Sequence, residues 1–478
     1  MKKTLIGRKK EKAILLEALA SEEAEMISVI GRRRVGKTLL VRTVYQDAIC
    51  LELEGIQNSP RKEQLLDFTV RLNRVAKSAK KIKVPSTWQQ AFYLLIEYLE
   101  SLESEQKKVI FFDELPWLAT HKSGFLRALG MFWNSWASRN NVVVVICGSA
   151  ASWMIQKVVN HKGGLHNRIT KRLHLKPFTL AETSSYFQSR NIQIDPYQIV
   201  QIYMAMGGVP HYLKEIRPGK SAIQNIQDIC FSDTGLLKDE FSRLYPALFD
   251  NAENHIIVIR TLFEKKQGMT RSELIKKANL SSGGTISKVL NELKHSGFVE
   301  IYQAFNKKKK DQLFRLTDEY SLFYLQFIED NLQEEQDVWQ RLSQTQSYKS
   351  WSGYAYENIC LKHLSQIKKA LGISGVYSTS STFTKKGTST NLGTQIDLLI
   401  DRNDHVINLF EIKFYNNKFT LDKNTADNLR GKMRIFQEKT KTNKQLFWGV
   451  ITTFGITPSQ HSIGLIQQVI TLVELFEE

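Results

Sequence analysis

The sequence predicts a multidomain α/β protein, and three observations predict it. An apolar strand-sized run, a glycine-bounded loop and a helix-compatible run follow one another between residues 26 and 41. Short helices and a basic hairpin occupy roughly residues 255–316, and two apolar strands bearing carboxylates lie near residues 395–414. The 478 residues leave room for about three domains. Hydrophobic residues at 42% and charged residues at 24% are globular values, which excludes a disordered or fibrous chain. Only 9 prolines argue against long Pro-rich linkers. The longest apolar run, around Val142–Cys147, is strand-sized and far short of the ~18–20 residues of a spanning helix. Charges interrupt the N-terminal MKKTLIGRKKEKAILLEALA where a signal peptide needs an apolar stretch, so a cytoplasmic chain without a membrane partner is expected. Cys50, Cys147, Cys230 and Cys360 form no CxxC pair, which suits a reducing compartment. The formal charge of +18 points to a polyanionic partner.

The strongest local signal is Gly31-Arg32-Arg33-Arg34-Val35-Gly36-Lys37-Thr38, a complete G-x-x-x-x-G-K-T between the strand Met26–Ile30 and the helix-compatible Leu39-Leu40-Val41. Glycines there let backbone N–H groups turn inward around phosphates, and the following helix N-terminus adds a favourable dipole. The motif assigns Lys37 to the β/γ-phosphates of ATP and Thr38 to Mg²⁺. A second apolar strand, Val109–Phe112, ends in Asp113-Glu114, and ligands of open α/β sheets sit at such carboxyl ends. Asp113 is expected to hold Mg²⁺ through water, and Glu114 to orient or activate the attacking water. A third strand, Asn141–Cys147, ends in Gly148-Ser149, which brings the Ser149 hydroxyl to the same edge or merely makes a turn.

Ile6-Gly7-Arg8 with Glu11, then GRRRVGKT, FFDELPWL, ICGSAASWM and GLHNRITKRLHLKPF, follow in one order. Over roughly residues 1–240 this resembles the prokaryotic, archaeal-type P-loop ATPases of the STAND/AAA+ kind. The resemblance implies an ATP-driven switch with a P-loop core and a small helical lid. It also implies a γ-phosphate-sensing role for Arg168, acting in cis or in trans. His166-Asn167 stand here where the family has a Tyr-Gly pair. On the residues alone, Arg168 is equally part of a solvated basic helix face with Lys171 and Arg172.

From His255 the pattern changes. Ile256–Lys265 is amphipathic, and Thr270–Ala278 opens with a Thr cap and Glu273 three residues on. In Thr285–Ser296 the apolar residues Ile286, Val289, Leu290 and Leu293 form one stripe, with Ser287, Lys288 and Asn291 off it. Phe298–Phe305 and Gln312–Leu316 read as strands joined by Lys307, Lys308, Lys309 and Lys310. Three helices and a basic-tipped hairpin outline a winged helix-turn-helix. Residues 254–318 hold 13 Lys+Arg and 6 Asp+Glu, so a DNA partner is expected. Ser287, Lys288 and Asn291 would face a groove while the four wing lysines touch phosphates. The competing reading is a protein-docking module with a solvated hairpin tip.

After a Gln- and Glu-rich connector (Leu332–Ser347), Tyr354–Leu364 reads as a helix carrying Glu357. Asp397 lies within the apolar strand Gln395–Ile400, and Glu411 and Lys413 share one face of Leu409–Phe414. An Asp and a Glu on partner strands can converge on a divalent cation, with Lys413 beside them to orient water or to stabilise phosphate charge. The set Glu357, Asp397, Glu411, Lys413 resembles the PD-(D/E)XK nuclease superfamily over about residues 351–478. That resemblance implies an α/β restriction-endonuclease-like fold with Glu357, Asp397 and Glu411 as Mg²⁺ or Mn²⁺ ligands, and Glu411 and Lys413 as catalytic groups. The chain lacks the Pro before Asp397.

The expected organisation is thus a P-loop ATPase core over 1–175, a helical lid over 176–250, a winged helix-turn-helix over 251–330, a helical connector over 331–350 and the nuclease-like domain over 351–478. The function this implies is an ATP-hydrolysing, DNA-associated switch with a metal-dependent nuclease-like domain, in the manner of switch ATPases that assemble as homo-oligomers. The alternative is a non-nucleolytic ATP switch whose later domains make protein contacts.

Overall fold

Five apolar runs of the N-terminal third form one sheet: β1 (Glu25–Ile30), β2 (Ile49–Glu54), β3 (Lys108–Asp113), β4 (Val142–Gly148) and β5 (Lys171–His174). The computed structural model describes residues 5–77, 81–103, 105–159, 167–249, 251–281, 283–303, 305, 311–333, 337–385, 387 and 393–478. The chain divides into two compact units, Met1–Pro177 and Phe178–Glu478. Strand order in the first is β2-β3-β4-β1-β5, and every neighbouring pair is parallel. Both faces of the sheet are covered. Ile27, Val29, Val109, Phe111, Val143 and Val145 enter one core, while Met26, Ile30, Ile110, Phe112, Val144 and Ile146 enter the other. Burial on both faces is why β1 and β4 read as continuous apolar runs without alternation.

One expectation for this unit is corrected. Lys171 and Arg172 belong not to a basic helix face but to β5, whose register runs Ile27↔Lys171 to Ile30↔His174. Leu173 is buried between exposed neighbours, so two-residue alternation and pairing to β1 decide the conformation.

The second unit opens with helices Leu180–Gln188, Pro196–Met206 and Ala222–Cys230. Glu253–Phe263, Arg271–Ala278 and Gly284–His295 follow, then the antiparallel hairpin of β6 (Val299–Tyr302) and β7 (Leu313–Leu316). Thr270 and Glu273 close the expected capping box, and Ile286, Val289, Leu290 and Leu293 are buried on one side of their helix. The first hairpin strand stops at Tyr302, short of the expected Phe305. There the chain turns toward β8 (Ser378–Lys385): the Phe305 N–H donates to Thr382 O, and its ring lies 5.2 Å from Phe436. Lys307–Lys310 lie outside the described residues.

One helix, Gln346–Lys362, runs through the expected junction at 350 and carries Glu357. An aromatic cluster fixes it: Trp351 lies 5.4 Å from Phe323 and 5.2 Å from Phe327, and both of those pack on Trp339. The remaining strands are β9 (Thr394–Arg402), β10 (Val406–Lys413), β11 (Phe419–Thr420), β12 (Gln445–Thr452), β13 (Ile456–Thr457) and β14 (Ile466–Ile470). Five of the C-terminal strands form a mixed sheet ordered β14-β12-β10-β9-β8, in which β10, β12 and β14 are parallel and β8–β9–β10 antiparallel. Helix Lys423–Thr440 lies between β11 and β12 in the chain. Among the described residues no helix is long and apolar enough to cross a membrane.

His363, at the end of helix Gln346–Lys362, is 2% exposed. Its Nδ1 meets Ile359 O at 2.8 Å, and its Nε2 accepts the Leu180 N–H at 3.1 Å. Acceptance at Nε2 requires the neutral ring, and burial, with the Lys362 charge, lowers the pKa to about 4. A depressed folded-state value means stability present above the unfolded pKa of about 6.5 and lost as pH falls toward 4, by at most about 3 kcal/mol. Urea unfolding of the second unit's signals from pH 7 to 4 should show this slope, and His363→Gln should flatten it. An unchanged slope in the variant would contradict the assignment.

Candidate functional site

β1 ends at Ile30, and the chain turns through Gly31–Gly36 into helix Lys37–Val44. The turn requires its glycines. A Cβ on Gly31 would lie 2.4 Å from Leu175 O, and Gly36 sits at φ 93°, a left-handed conformation that glycine adopts without strain. Arg34 also sits at positive φ (71°), and left-handed residues of this kind recur in backbone concavities that bind anions. Lys37 is 6% exposed, and its Nζ donates to Gly31 O at 2.8 Å and Arg32 O at 3.0 Å, which puts the ammonium inside the loop. Buried Arg8 braces the same loop, donating from Nη2 to Val35 O at 3.1 Å. Of the three loop arginines, Arg32 is buried, Arg33 lies 5.6 Å over the Trp117 ring, and Arg34 is exposed.

β4 lies between β1 and β3, so the carboxyl ends of all three strands face the loop. Thr38 Oγ1 donates to Asp113 Oδ2 at 2.6 Å, and Asp113 Oδ1 accepts the Glu114 N–H at 2.9 Å. Glu114 is held in turn: its Oε2 accepts Ser149 N–H at 3.1 Å and Ser149 Oγ–H at 2.8 Å. Ser149 therefore works on Glu114, a partner its sequence position did not name. Glu114 has φ 44° and ψ 51°, a left-handed conformation uncommon for a side-chain-bearing residue. Arg168 is exposed, three residues before β5.

In the second unit, β9 and β10 pair as far as Leu398↔Phe410, and the Ile412 N–H donates to Asp397 Oδ2 at 3.0 Å. Asp397 and Glu411 therefore lie together at the end of the sheet where β10 finishes. Burial, and then the charges of Glu411 and Glu357, push the Asp397 carboxyl up to about 7. Burial also acts on Glu411, but the charges of Lys413 and Lys432 outweigh it and hold that carboxyl below its usual range. Lys413 Nζ lies 2.9 Å from Glu411 Oε1, and Lys432 Nζ 2.7 Å from Oε2. Glu357 Oε1 accepts from Arg315 Nη1 at 3.0 Å.

The oxygen-donor chemistry of Glu357, Asp397 and Glu411 suits a hard divalent cation. As they stand, among the described residues no three His, Cys, Asp or Glu side chains are grouped to hold a metal ion. Arg315 and Lys432 occupy two of the carboxylates instead. Neither had a sequence signal, since Lys432 lies 21 residues beyond Glu411 and Arg315 lies 42 before Glu357. Ser287, Lys288 and Asn291 are exposed on the side of their helix away from the buried stripe, with Lys288 3.8 Å from Glu292.

The class of domain follows from loop and sheet together. Residues 5–216 match the model of an ATPase domain predominantly from Archaea, and this part of the chain carries an archaeal-type ATPase domain. Among individual proteins, an uncharacterized protein of Methanocaldococcus jannaschii is 22% identical over 432 residues, covering 86% of this chain and 87% of its own. Solved structures with similarity include a Walker-type ATPase of Pyrococcus abyssi, at 17% identity and TM-score 0.49, covering 67% of this chain and 96% of that one. The ORC2 protein of Aeropyrum pernix matches at 15% identity and TM-score 0.42, covering 70% and 96%.

The Gly31 contact gives a direct test. In Gly31→Ala the new methyl must displace the Leu175 carbonyl, a backbone atom, and the first unit should lose about 1–3 kcal/mol of stability. Thermal unfolding of the variant beside the parent measures it. An unaltered midpoint would mean that the loop does not abut the chain after β5.

Proposed function

We propose that the chain is an ATP-binding and ATP-hydrolysing switch whose nucleotide site is the Gly31–Thr38 loop with Asp113, Glu114 and Ser149. The observation that carries this reading is the 2.6 Å contact between Thr38 Oγ1 and Asp113 Oδ2 beside a loop that encloses the Lys37 ammonium. Two hard oxygen donors meeting there fit Mg²⁺, which when bound supplies neutralising charge for the phosphates. Lys37 would exchange its two loop carbonyls for β- and γ-phosphate oxygens. Glu114, oriented by Ser149, would position the attacking water and accept its proton. Arg168 is retained as a γ-phosphate-sensing arginine, in cis or in trans, which its exposure permits. Lys37→Ala should abolish measurable ATP affinity. Glu114→Gln should keep ATP affinity while slowing hydrolysis by about 10²–10⁴-fold. Calorimetric binding and phosphate release measure the two, and a Lys37→Ala chain that binds ATP like the parent would remove the reading.

We further propose that the second unit associates with DNA through a winged helix-turn-helix over residues 251–330, and that its mixed sheet is a PD-(D/E)XK-type, metal-dependent nuclease-like domain. The exposed Ser287, Lys288 and Asn291 support the first, together with the net charge of +7 over residues 254–318. The position of Asp397 against the end of β10, where it accepts the Ile412 N–H beside Glu411, with Lys413 2.9 Å from Glu411, supports the second. Cleavage assays on DNA and RNA with Mg²⁺ or Mn²⁺, with and without ATP, test it beside Glu411→Ala and Lys413→Ala. Cleavage is expected in the parent and lost in both variants. No cleavage under any condition, or cleavage that survives both substitutions, would leave the protein-contact switch as the better reading.

A further inference from the structure

The carboxylate cluster is covered from one direction by residues that the nuclease-like reading does not use. Arg315, on β7, is 4% exposed and donates to Glu357 Oε1 at 3.0 Å. Its guanidinium lies 4.7 Å from the Tyr354 ring centre and 5.7 Å from that of Tyr302, with Nε 3.3 Å from the Tyr354 hydroxyl. From the turn before helix Arg271–Ala278, Gln267 Nε2 donates to Gln395 Oε1 at 2.7 Å, and Gln395 Nε2 to Asp397 Oδ1 at 3.3 Å. Lys266 lies 5.5 Å over the same Tyr354 ring. Two chain segments 48 residues apart therefore reach two of the three carboxylates, one directly and one through Gln395.

We infer that the helix–hairpin module of residues 253–316 is an intramolecular cap on the carboxylate cluster, with Arg315 holding at Glu357 the position that a divalent cation would otherwise take. The inference rests on the metal-binding reading of that cluster. A guanidinium spends its charge and planar donors on the carboxylate oxygens that would ligate a cation, so the two occupants compete for Glu357. Buried Arg–carboxylate pairs add little to stability over an apolar pair of the same volume, so this one is better placed to set a state than to hold the fold.

The test uses the full chain without nucleotide and Mn²⁺ as the probe, with bound ion read by electron paramagnetic resonance. Binding through the cluster is defined as the part lost in Asp397→Asn. Arg315→Gln should tighten that binding about tenfold. Gln267→Ala, an exposed change that does not threaten the fold, should tighten it about threefold. In the parent, saturating Mn²⁺ should speed amide hydrogen exchange in β6 and β7. Equal Mn²⁺ affinity in parent, Arg315→Gln and Gln267→Ala, with hairpin exchange unchanged, would overturn the cap and leave the metal reading standing. Absence of Asp397-dependent Mn²⁺ binding in every chain would remove the metal reading, and the cap with it.

Discussion

Strand pairing is the constraint on which both units depend. A parallel strand can only be followed by a crossover, so whatever it delivers emerges at one edge of the sheet. In the first unit β1, β3 and β4 deliver the Gly31–Thr38 loop, Asp113-Glu114 and Gly148-Ser149 to that edge. In the second unit β10 and β12 are parallel, with Lys413 opposite Thr452 at their ends. Antiparallel β9 enters where β10 leaves, so Asp397, near the start of one strand, meets Glu411, near the end of the other. Parallel pairing gathers the polar residues of the first unit, and antiparallel pairing of β9 with β10 brings Asp397 to Glu411 in the second.

The parts legible in the sequence were those whose physics is local. The nucleotide loop is eight consecutive residues, and the capping box at Thr270 and Glu273 spans four. Asp113-Glu114 could be read because a fully apolar run precedes them and buried strands must end somewhere polar. Strand order could not be read, because the insertion of β4 between β1 and β3 depends on pairing across more than a hundred residues. Without it the bond from Ser149 to Glu114 is invisible. The tetrapeptide of β5, with three of its four residues basic, mimics a solvated helix face. Only a single buried leucine and its pairing with β1 make it a strand.

Charge in the second unit shows a different limit. A surplus of cations in a sequence suggests a surface that attracts polyanions, and the exposed Lys288 fits that picture. Some of the cations, however, turn inward. Arg315 faces Glu357, Lys432 and Lys413 face Glu411, and Lys362 holds the buried Glu319 at 2.5 Å. A bare count of cations treats these residues as partners for something outside the chain, although carboxylates of the same unit already face them. Where a cation lies relative to tertiary neighbours, not how many there are, decides which role it has.

The backbone of Glu114 carries a consequence for the chain's history. A left-handed conformation at a residue with a full side chain costs about 1–3 kcal/mol, and glycine or asparagine would pass through the same turn with less strain. Selection for folding alone would therefore favour glycine or asparagine over the carboxylate at this position. In a library sorted for thermal resistance, position 114 should be among the first to change. The most stable descendants would then be those that have lost the carboxylate to which Ser149 donates.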